Sequence, residues 1–148
     1  MDFTVIVCTY NRCGNLPACL GALATQKGLE AIDWEVLVVD NNSTDATPQM
    51  VERLARELPV RLRYAREEQQ GLNYARNCGV INSHGTHFTF VDDDIQVSPQ
   101  WLSALAGAFA ATDADEEAKE LPFDLLSVGP GGRCAKLRVR NAQRRCIP

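Results

Sequence analysis

The stretch "WEVLVVDNNSTDATP" (34–48) contains a strand, a polar turn and the start of a helix in direct succession. Residues 34–40 are almost continuously apolar and rich in Val, which is typical of a short strand covered on both faces. The Asn, Ser and Asp residues that follow favour turns and helix starts, and Pro48 suits the first turn of a helix. A strand that passes into a helix in this way is the repeating unit of parallel α/β sheets.

The same alternation of strand-length apolar runs and helical patterns extends along the chain. Strands are predicted at 3–8, 34–40, 60–65, 86–92 and 122–128. Helices are predicted at 15–26, between Pro48 and Pro59, at 72–83 and at 98–111. Asn15 and Ser98 are predicted to cap the first and the last of these helices, with Pro99 at the first helical position. The pattern predicts an α/β fold with a mostly parallel sheet and helices on both faces.

Three polar clusters begin where predicted strands end. They are "TYNR" (9–12), "DNNSTD" (40–45) and "DDD" (92–94). In open parallel sheets ligands bind beyond the carboxyl ends of the strands, so we expect these clusters to converge on one site.

Composition limits the partners of this chain. The 148 residues, 45% of them hydrophobic, suffice for one domain. The formal net charge is −4, but the last twenty residues hold six basic residues and no acidic one, which leaves residues 1–128 at a net of −10. An acidic body argues against a nucleic-acid partner, and a phosphate bound to it needs a cation in between.

The six cysteines are expected to be free thiols, because they show no CxxC spacing and the N-terminus resembles no signal peptide. No stretch approaches the roughly 20 apolar residues of a membrane span. We therefore expect a cytoplasmic protein.

Asp92, Asp93 and Asp94 are the most informative residues of the sequence. Mg²⁺ and Mn²⁺ take oxygen ligands and are often held by one or two carboxylates together with substrate phosphates. In an extended segment residues i and i+2 project the same way, so Asp92 and Asp94 can share a metal while Asp93 points elsewhere. The alternative is an exposed acidic turn before the next helix.

The other two clusters allow both functional and structural interpretations. Thr9 and Tyr10 can bracket a base or a ribose and Arg12 can meet a phosphate, or the segment is a polar turn before the helix. Asp40 can accept hydrogen bonds from a ribose or a base, whereas the residues after it suit a turn and a helix start.

A helical stretch at "GLNYARNCG" (71–79) places Asn73 and Arg76 one turn apart. The two side chains can face one site, or they belong to an ordinary solvated helix face.

Four segments in the same order and spacing resemble the N-terminal part of the inverting family 2 glycosyltransferases of GT-A fold. They are "VIVCTYNR", "EVLVVDNNSTDAT", "QGLNYARNCGV" and "FTFVDDDIQVSPQWL", and the resemblance covers roughly residues 3–110. It implies a Rossmann-like sheet that binds a nucleotide-diphosphate sugar, and a reaction that transfers the sugar to an acceptor hydroxyl with inversion. The acceptor would be a glycan, a lipid or a polysaccharide.

The resemblance also implies roles for individual residues. Thr9, Tyr10 and Arg12 would line the nucleotide site, and Asp40 would bind the base. Asn73 and Arg76 would lie beside the diphosphate or the sugar.

For the aspartates, the resemblance implies the family's DxD motif and a divalent cation, Mn²⁺ or Mg²⁺. Asp92 would face the ribose or the metal, Asp93 the donor sugar, and Asp94 would be a direct metal ligand.

Two features depart from the resemblance. No residue can be assigned as the general base, so the catalytic residue is unknown and the fold is expected to be incomplete at the C-terminus. Residues 1–128 are therefore interpreted as the nucleotide-sugar-binding part, and residues 129–148 as a basic Gly/Arg/Cys-containing tail that is disordered or not native to the family. The alternatives are a tail that binds an acidic partner or the inner face of a membrane, and a nucleotide-sugar-binding module without turnover.

Overall fold

The computed structural model describes residues 1–113 of the chain. Within that range four strands alternate with four helices, as the sequence predicts. The strands are β1 (Phe3–Thr9), β2 (Trp34–Asp40), β3 (Leu62–Arg66) and β4 (His87–Asp92). The helices are α1 (Leu16–Ala24), α2 (Thr47–Glu57), α3 (Leu72–Asn82) and α4 (Trp101–Asp113). The predicted strand at 122–128 and the segment 129–148 lie outside the described residues.

The four strands form one parallel sheet in the order β3-β2-β1-β4. Strand β1 lies in the middle, with Val5 opposite Val36 of β2 and Thr89 of β4. Two parallel strands must be joined by a crossover connection, and the helices between the strands provide it. The prediction of a parallel α/β sheet is confirmed.

Helices cover both faces of this sheet. On one face α1, α2 and α4 pack against the odd-numbered residues of β1, which include Val5 and Val7. On the other face α3 packs through Ala75 and Cys78 against Ile6 and its neighbours. The continuous apolar runs of β1 and β2 therefore reflect strands that are buried on both sides.

The start of α4 differs from the prediction. The helix begins at Trp101, and Ser98 and Pro99 lie in the turn before it. The Ser98 carbonyl oxygen accepts hydrogen bonds from Gln26 Nε2 (2.8 Å) and from the Trp101 amide (3.0 Å), and the Pro99 carbonyl oxygen accepts one from the Lys27 amide (2.8 Å). The Gln26 side chain also accepts a hydrogen bond from the Leu102 amide at 2.8 Å. The cap therefore comes from Gln26, two residues after the end of α1, rather than from Ser98.

The predicted cap at Asn15 is also wrong. Asn15 precedes α1, but its own backbone is already helical and its side chain makes no capping hydrogen bond.

The cysteines of the described region are free thiols, as expected. Burial raises the pKa of both Cys8 and Cys19 to about 12. Cys134 and Cys146 lie outside the described residues. Among residues 1–113 the structure contains no helix of the length and apolarity that a membrane crossing requires.

A buried carboxylate lies at the end of the sheet where the parallel strands begin, which we call the amino edge. It is far from the polar clusters. Glu35 is fully buried, and its Oε1 accepts hydrogen bonds from Thr4 Oγ1 at 3.1 Å and Arg63 Nη1 at 2.9 Å. The amide of His84 also donates to it, at 3.3 Å. These bonds tie β1, β2, β3 and the turn before β4 together, which fixes the amino ends of the strands.

Close packing of α3 on the sheet predicts an effect of substituting Gly79. A Cβ at this position would lie 2.5 Å from Cγ2 of the buried Ile6. Because Ile6 is β-branched and enclosed, we expect Gly79→Ala to destabilise the fold by about 1–3 kcal/mol, measured by urea unfolding.

Gly21→Ala in α1 is the matched control, since a Cβ there meets nothing within 4 Å. It should stabilise the fold by up to about 1 kcal/mol through helix propensity. Equal effects of the two substitutions would contradict the close packing of α3.

Candidate functional site

The strand register brings the three polar clusters to one edge of the sheet. Thr9 at the end of β1 lies opposite Asp40 at the end of β2. On the other side of β1, Cys8 lies opposite Asp92 at the end of β4. The clusters that were predicted to converge therefore do so, at the carboxyl ends of the strands.

Asp93 is the buried member of the aspartate run. Its side chain accepts a hydrogen bond from Thr9 Oγ1 at 2.7 Å and another from Arg12 Nη1 at 3.2 Å. A carboxylate that is only 4% exposed needs such partners, because an unpaired charge is costly inside a protein. Asp93 thereby joins the end of β4 to the loop after β1.

Asp92 and Asp94 flank Asp93 and are both exposed. The exposure of Asp92 and Asp94 and the burial of Asp93 agree with the predicted alternation of side chains along the aspartate run. Asp94 also lies near Arg12, with 3.7 Å between its Oδ2 and Nη1 of the arginine. The backbone carbonyl of Asp92 accepts hydrogen bonds from the Ile95 amide (3.1 Å) and the Cys19 thiol (3.6 Å), which turns the chain sharply after β4.

The segment after β1 divides into buried and exposed side chains. Thr9 is buried against Asp93, so its hydroxyl positions the aspartate. Tyr10 is 46% exposed, and the Arg12 side chain is 57% exposed. Tyr10 and Arg12 can therefore meet a ligand, whereas the side chain of Asn11, which is also exposed, is hydrogen-bonded to Thr44.

Asp40 lies wholly inside the protein at the end of β2. One carboxylate oxygen accepts a hydrogen bond from the Ser43 amide at 2.8 Å, and the other accepts one from the Tyr64 hydroxyl at 2.8 Å. Burial, followed by this hydrogen bond, raises the pKa of Tyr64 to about 12. Because Asp40 is 0% exposed, direct contact between its carboxylate and a base would require a neighbouring group to move.

Asn41 is a residue whose role the sequence analysis missed. Its side chain donates to the carbonyl oxygen of Gln69 at 2.6 Å and accepts from the amide of Gly71 at 2.8 Å. Gly71 has a φ of 143°, a conformation that favours glycine. Asn41 thus fixes the loop that leads into α3. Its position directly after a buried strand was the only signal in the sequence.

The loops after β1 and β2 are fastened to each other. The Asn11 side chain accepts from the Thr44 amide at 2.7 Å, and the Asn11 amide donates to Ser43 Oγ at 2.9 Å. Asn11 has a φ of 51°, which asparagine tolerates better than most residues. The Cys13 amide donates to Asp45 Oδ2 at 3.1 Å. The loop that carries Tyr10 and Arg12 is therefore held in place from both sides.

Asn73 and Arg76 lie on α3, which covers the other face of the sheet. Arg76 lies over the ring of Phe90, 5.7 Å from its centroid. Its charge also lowers the pKa of Cys8, against the larger opposite effect of burial, so the guanidinium is close to the carboxyl half of β1. Asn73 is exposed in the first turn of the same helix.

The donor set at this edge fits a divalent cation that also binds a substrate. Asp92 and Asp94 offer hard oxygen ligands, and both are exposed. Among the residues that the structure describes, no three acidic, His or Cys side chains are grouped closely enough to hold a metal by themselves. Mg²⁺ and Mn²⁺ are commonly held by one or two carboxylates plus phosphate oxygens, so two aspartates are a sufficient protein contribution.

Comparison with known proteins identifies the family. Residues 4–116 match the model of glycosyl transferase family 2. The chain belongs to this family. It is 33% identical over 112 residues to the glycosyltransferase AglE of Haloferax volcanii, which covers 76% of this chain and 36% of that protein. It is 35% identical over 108 residues to the succinoglycan biosynthesis protein ExoM of Rhizobium meliloti, covering 73% and 35%. The chain thus spans about a third of the length of these two relatives.

Two solved structures share the fold of this chain. The structure of Staphylococcus aureus TarS 1–349 in complex with UDP superposes with a TM-score of 0.66 at 33% identity, over 75% of this chain and 32% of that one. A mannosyltransferase of Pyrobaculum calidifontis in complex with GDP-Man and Mn²⁺ gives a TM-score of 0.58 at 33% identity, over 63% and 27%. The sheet and helices of this family 2 chain are therefore those of the Rossmann-like GT-A fold.

Asp45 provides a test of how the loops at this edge are held. Partial burial raises the pKa of this carboxyl group, but hydrogen bonds from Thr47 and Cys13 outweigh that effect and lower the pKa to about 2, against an ordinary value of 3.8. The ionised carboxylate therefore stabilises the fold above pH 3.8, and this contribution is lost as the pH falls toward 2.

We expect Asp45→Ala to reduce the free energy of unfolding at pH 6 by about 1 kcal/mol. The difference from the wild type should shrink between pH 4 and pH 2.5, as measured by urea unfolding at each pH. Asp45→Asn is the control, because it keeps an acceptor oxygen but cannot ionise. Identical pH profiles for the wild type and Asp45→Asn would contradict the hydrogen bonds assigned to the carboxylate.

Proposed function

We propose that this chain binds the nucleotide-diphosphate sugar of a metal-dependent, inverting glycosyltransferase at the carboxyl edge of its sheet, and that it transfers the sugar to an acceptor hydroxyl. The observation that carries the proposal is the exposed pair Asp92 and Asp94 on either side of the buried Asp93. Arg12 and Tyr10 are exposed on the adjoining loop. This edge offers ligands for a cation, a positive charge for a phosphate and an aromatic ring for a base or ribose.

Each part of the donor has a suitable group at this edge. The aromatic face of Tyr10 suits the base or the ribose. Arg12 and Arg76 suit the diphosphate, because a guanidinium forms charge-assisted hydrogen bonds with phosphate oxygens. Asn73 is suited to hydrogen bonds with the diphosphate or the sugar. Asp40 and Thr9 are buried, so we assign them to positioning: Asp40 supports the base site through Ser43 and Tyr64, and Thr9 holds Asp93.

The relatives support this class of donor. The TarS structures include complexes with UDP and with UDP-GlcNAc, and the mannosyltransferase structure contains GDP-Man and Mn²⁺. For the present chain we propose a donor of the same class, with Mn²⁺ or Mg²⁺ held by Asp92 and Asp94. When bound there, such a cation would neutralise the charge that develops on the leaving nucleotide diphosphate.

The chain's own residues have defined tasks in this reaction. Asp93 holds the Arg12 guanidinium beside the cation site, and the loop contacts of Asn11 keep that segment in place. Arg12 and Arg76 stabilise negative charge on the diphosphate as the bond to the sugar breaks. No general base is assigned. The acceptor is proposed to be a glycan, a lipid or a polysaccharide, reached in the cytoplasm or at the inner face of the membrane.

A second candidate function is a module that binds the donor without turnover. It is favoured by the clustering of the assigned residues on the donor side. An enzyme would transfer or hydrolyse a nucleotide sugar in the presence of Mn²⁺, whereas a binding module would not. Both would bind the nucleotide in a metal-dependent way. Binding of UDP without any release from UDP-sugars would favour the module.

The metal ligands lead to a direct test. We expect Asp92→Asn and Asp94→Asn each to weaken UDP binding in the presence of Mn²⁺ by at least about tenfold, because each removes a charged oxygen ligand. Isothermal titration calorimetry of the purified chain with and without Mn²⁺ measures the effect. Without the metal, the variants should bind UDP no more weakly than the wild type.

Glu30→Gln is the matched control. It removes one exposed carboxylate from the loop before β2 and should leave the UDP affinity unchanged. UDP affinity that is indifferent to Mn²⁺ in the wild type, or equal losses in the control and the aspartate variants, would contradict the proposed metal site.

A further inference from the structure

Arg12 contacts two of the three aspartates with a single nitrogen. Its Nη1 lies 3.2 Å from Oδ1 of Asp93 and 3.7 Å from Oδ2 of Asp94. The first partner is buried and the second is exposed, with side-chain exposures of 5% and 58%. One guanidinium therefore bridges a carboxylate inside the protein and a carboxylate of the candidate metal site.

The two contacts differ in strength. The contact with Asp93 meets the geometry of a hydrogen bond and compensates a charge that is removed from water. The contact with Asp94 is longer and lies in solvent, where an ion pair contributes little to stability. Arg12 is therefore anchored through Asp93 and can release Asp94 easily.

Three adjacent carboxylates explain why an arginine lies here. Asp92, Asp93 and Asp94 repel one another, and in the described part of the chain Arg12 is the cation that forms ion pairs with this run. A positive charge next to Asp94 lowers the repulsion when the site holds no metal. It also opposes the arrival of a second cation at the same oxygen.

We propose that Arg12 is an internal counter-cation of the metal site, which covers Asp94 until a divalent cation replaces it and then turns its free donors to the diphosphate. This inference rests on the proposed function and adds a regulatory step to the same site. Both contacts of Arg12 involve Nη1, and a guanidinium carries five N–H donors. The group can therefore keep Asp93 and still bind a phosphate oxygen.

The exchange makes metal and nucleotide binding depend on each other. Without a nucleotide, the cation competes with the charge of Arg12 for Asp94, so the metal binds weakly. With a nucleotide, the diphosphate attracts Arg12 away from Asp94, and the metal binds more tightly. Because such a coupling is reciprocal, Mn²⁺ strengthens UDP binding by the same factor.

Arg12→Gln tests the exchange through binding rather than activity. The variant should bind Mn²⁺ alone about fivefold more tightly than the wild type, because the competing charge is gone. It should bind UDP more weakly. The factor by which Mn²⁺ improves UDP affinity should also fall severalfold. Calorimetry with Mn²⁺ alone, UDP alone and both together gives all three quantities.

Two further variants separate the charge from a structural role. Arg12→Lys keeps a positive charge and should retain the weak Mn²⁺ binding of the wild type. Arg66→Gln removes a positive charge from the same edge, but from a residue that bonds Asn42 at 2.7 Å rather than an aspartate. It should leave the affinity for Mn²⁺ alone unchanged. Far-UV circular dichroism confirms that each variant is folded.

The outcomes distinguish this inference from the proposed function. If the wild type binds UDP with Mn²⁺ but Arg12→Gln binds Mn²⁺ no more tightly, the counter-cation role is wrong and the donor site stands. The counter-cation role is also wrong if Arg66→Gln tightens Mn²⁺ binding as much as Arg12→Gln. If the wild type binds neither Mn²⁺ nor UDP, both proposals fail.

Discussion

The central strand β1 is the constraint on which the rest of the structure depends. It pairs in parallel with β2 on one side and β4 on the other, and helices cover both of its faces. Buried hydrogen bonds fix how the strands align: Glu35 accepts from Thr4 and Arg63 where the strands begin, and a one-residue slip would break these bonds. Asp93 accepts from Thr9 where the strands end. The register is therefore fixed, and with it the positions of Thr9, Asp40 and Asp92 at the ends of the three strands.

The polar groups at this edge separate into those that the fold uses and those that remain for a ligand. Asp93, Asp40 and Asn41 are buried and each is hydrogen-bonded inside the protein, as buried polar groups require. Asp92 and Asp94 are exposed. The buried set makes the edge rigid, so the exposed set presents two carboxylates in a defined place.

Arg12 takes part both in the hydrogen bonds that hold the fold together and in the group of exposed side chains that remain for a ligand. Its contact with Asp93 is part of the fold, whereas its contact with Asp94 covers a candidate metal ligand. A residue that is anchored at one carboxylate and releasable at the other can change partners without any movement of the backbone. In this account the site responds to a cation and a nucleotide together.

The sequence predicted those features that depend on local pattern. The Val-rich run before Asp40 indicated a buried strand, and the alternation along the aspartate run indicated which carboxylates would share a side. Features that depend on partners distant in the chain could not be predicted. Arg12 and Asp93 are 81 residues apart, and the side chain that caps α4 is Gln26 rather than the neighbouring Ser98. Glu35 shows the same limit at the other edge of the sheet, because its burial becomes understandable only when Thr4 and Arg63 are seen to donate to it from the two neighbouring strands.

The most direct test of the account is the location of a Mn²⁺–UDP complex on the folded chain. Paramagnetic broadening of amide signals in the ¹⁵N-labelled protein measures it, because Mn²⁺ broadens the signals of nearby amides. We expect the broadening to be strongest around Asp92–Ile95 and Thr9–Arg12 and absent from the amino edge around Asp33 and Thr86. Broadening centred on the amino edge, or none that depends on UDP, would contradict the central claim that the carboxyl edge binds a metal and a nucleotide.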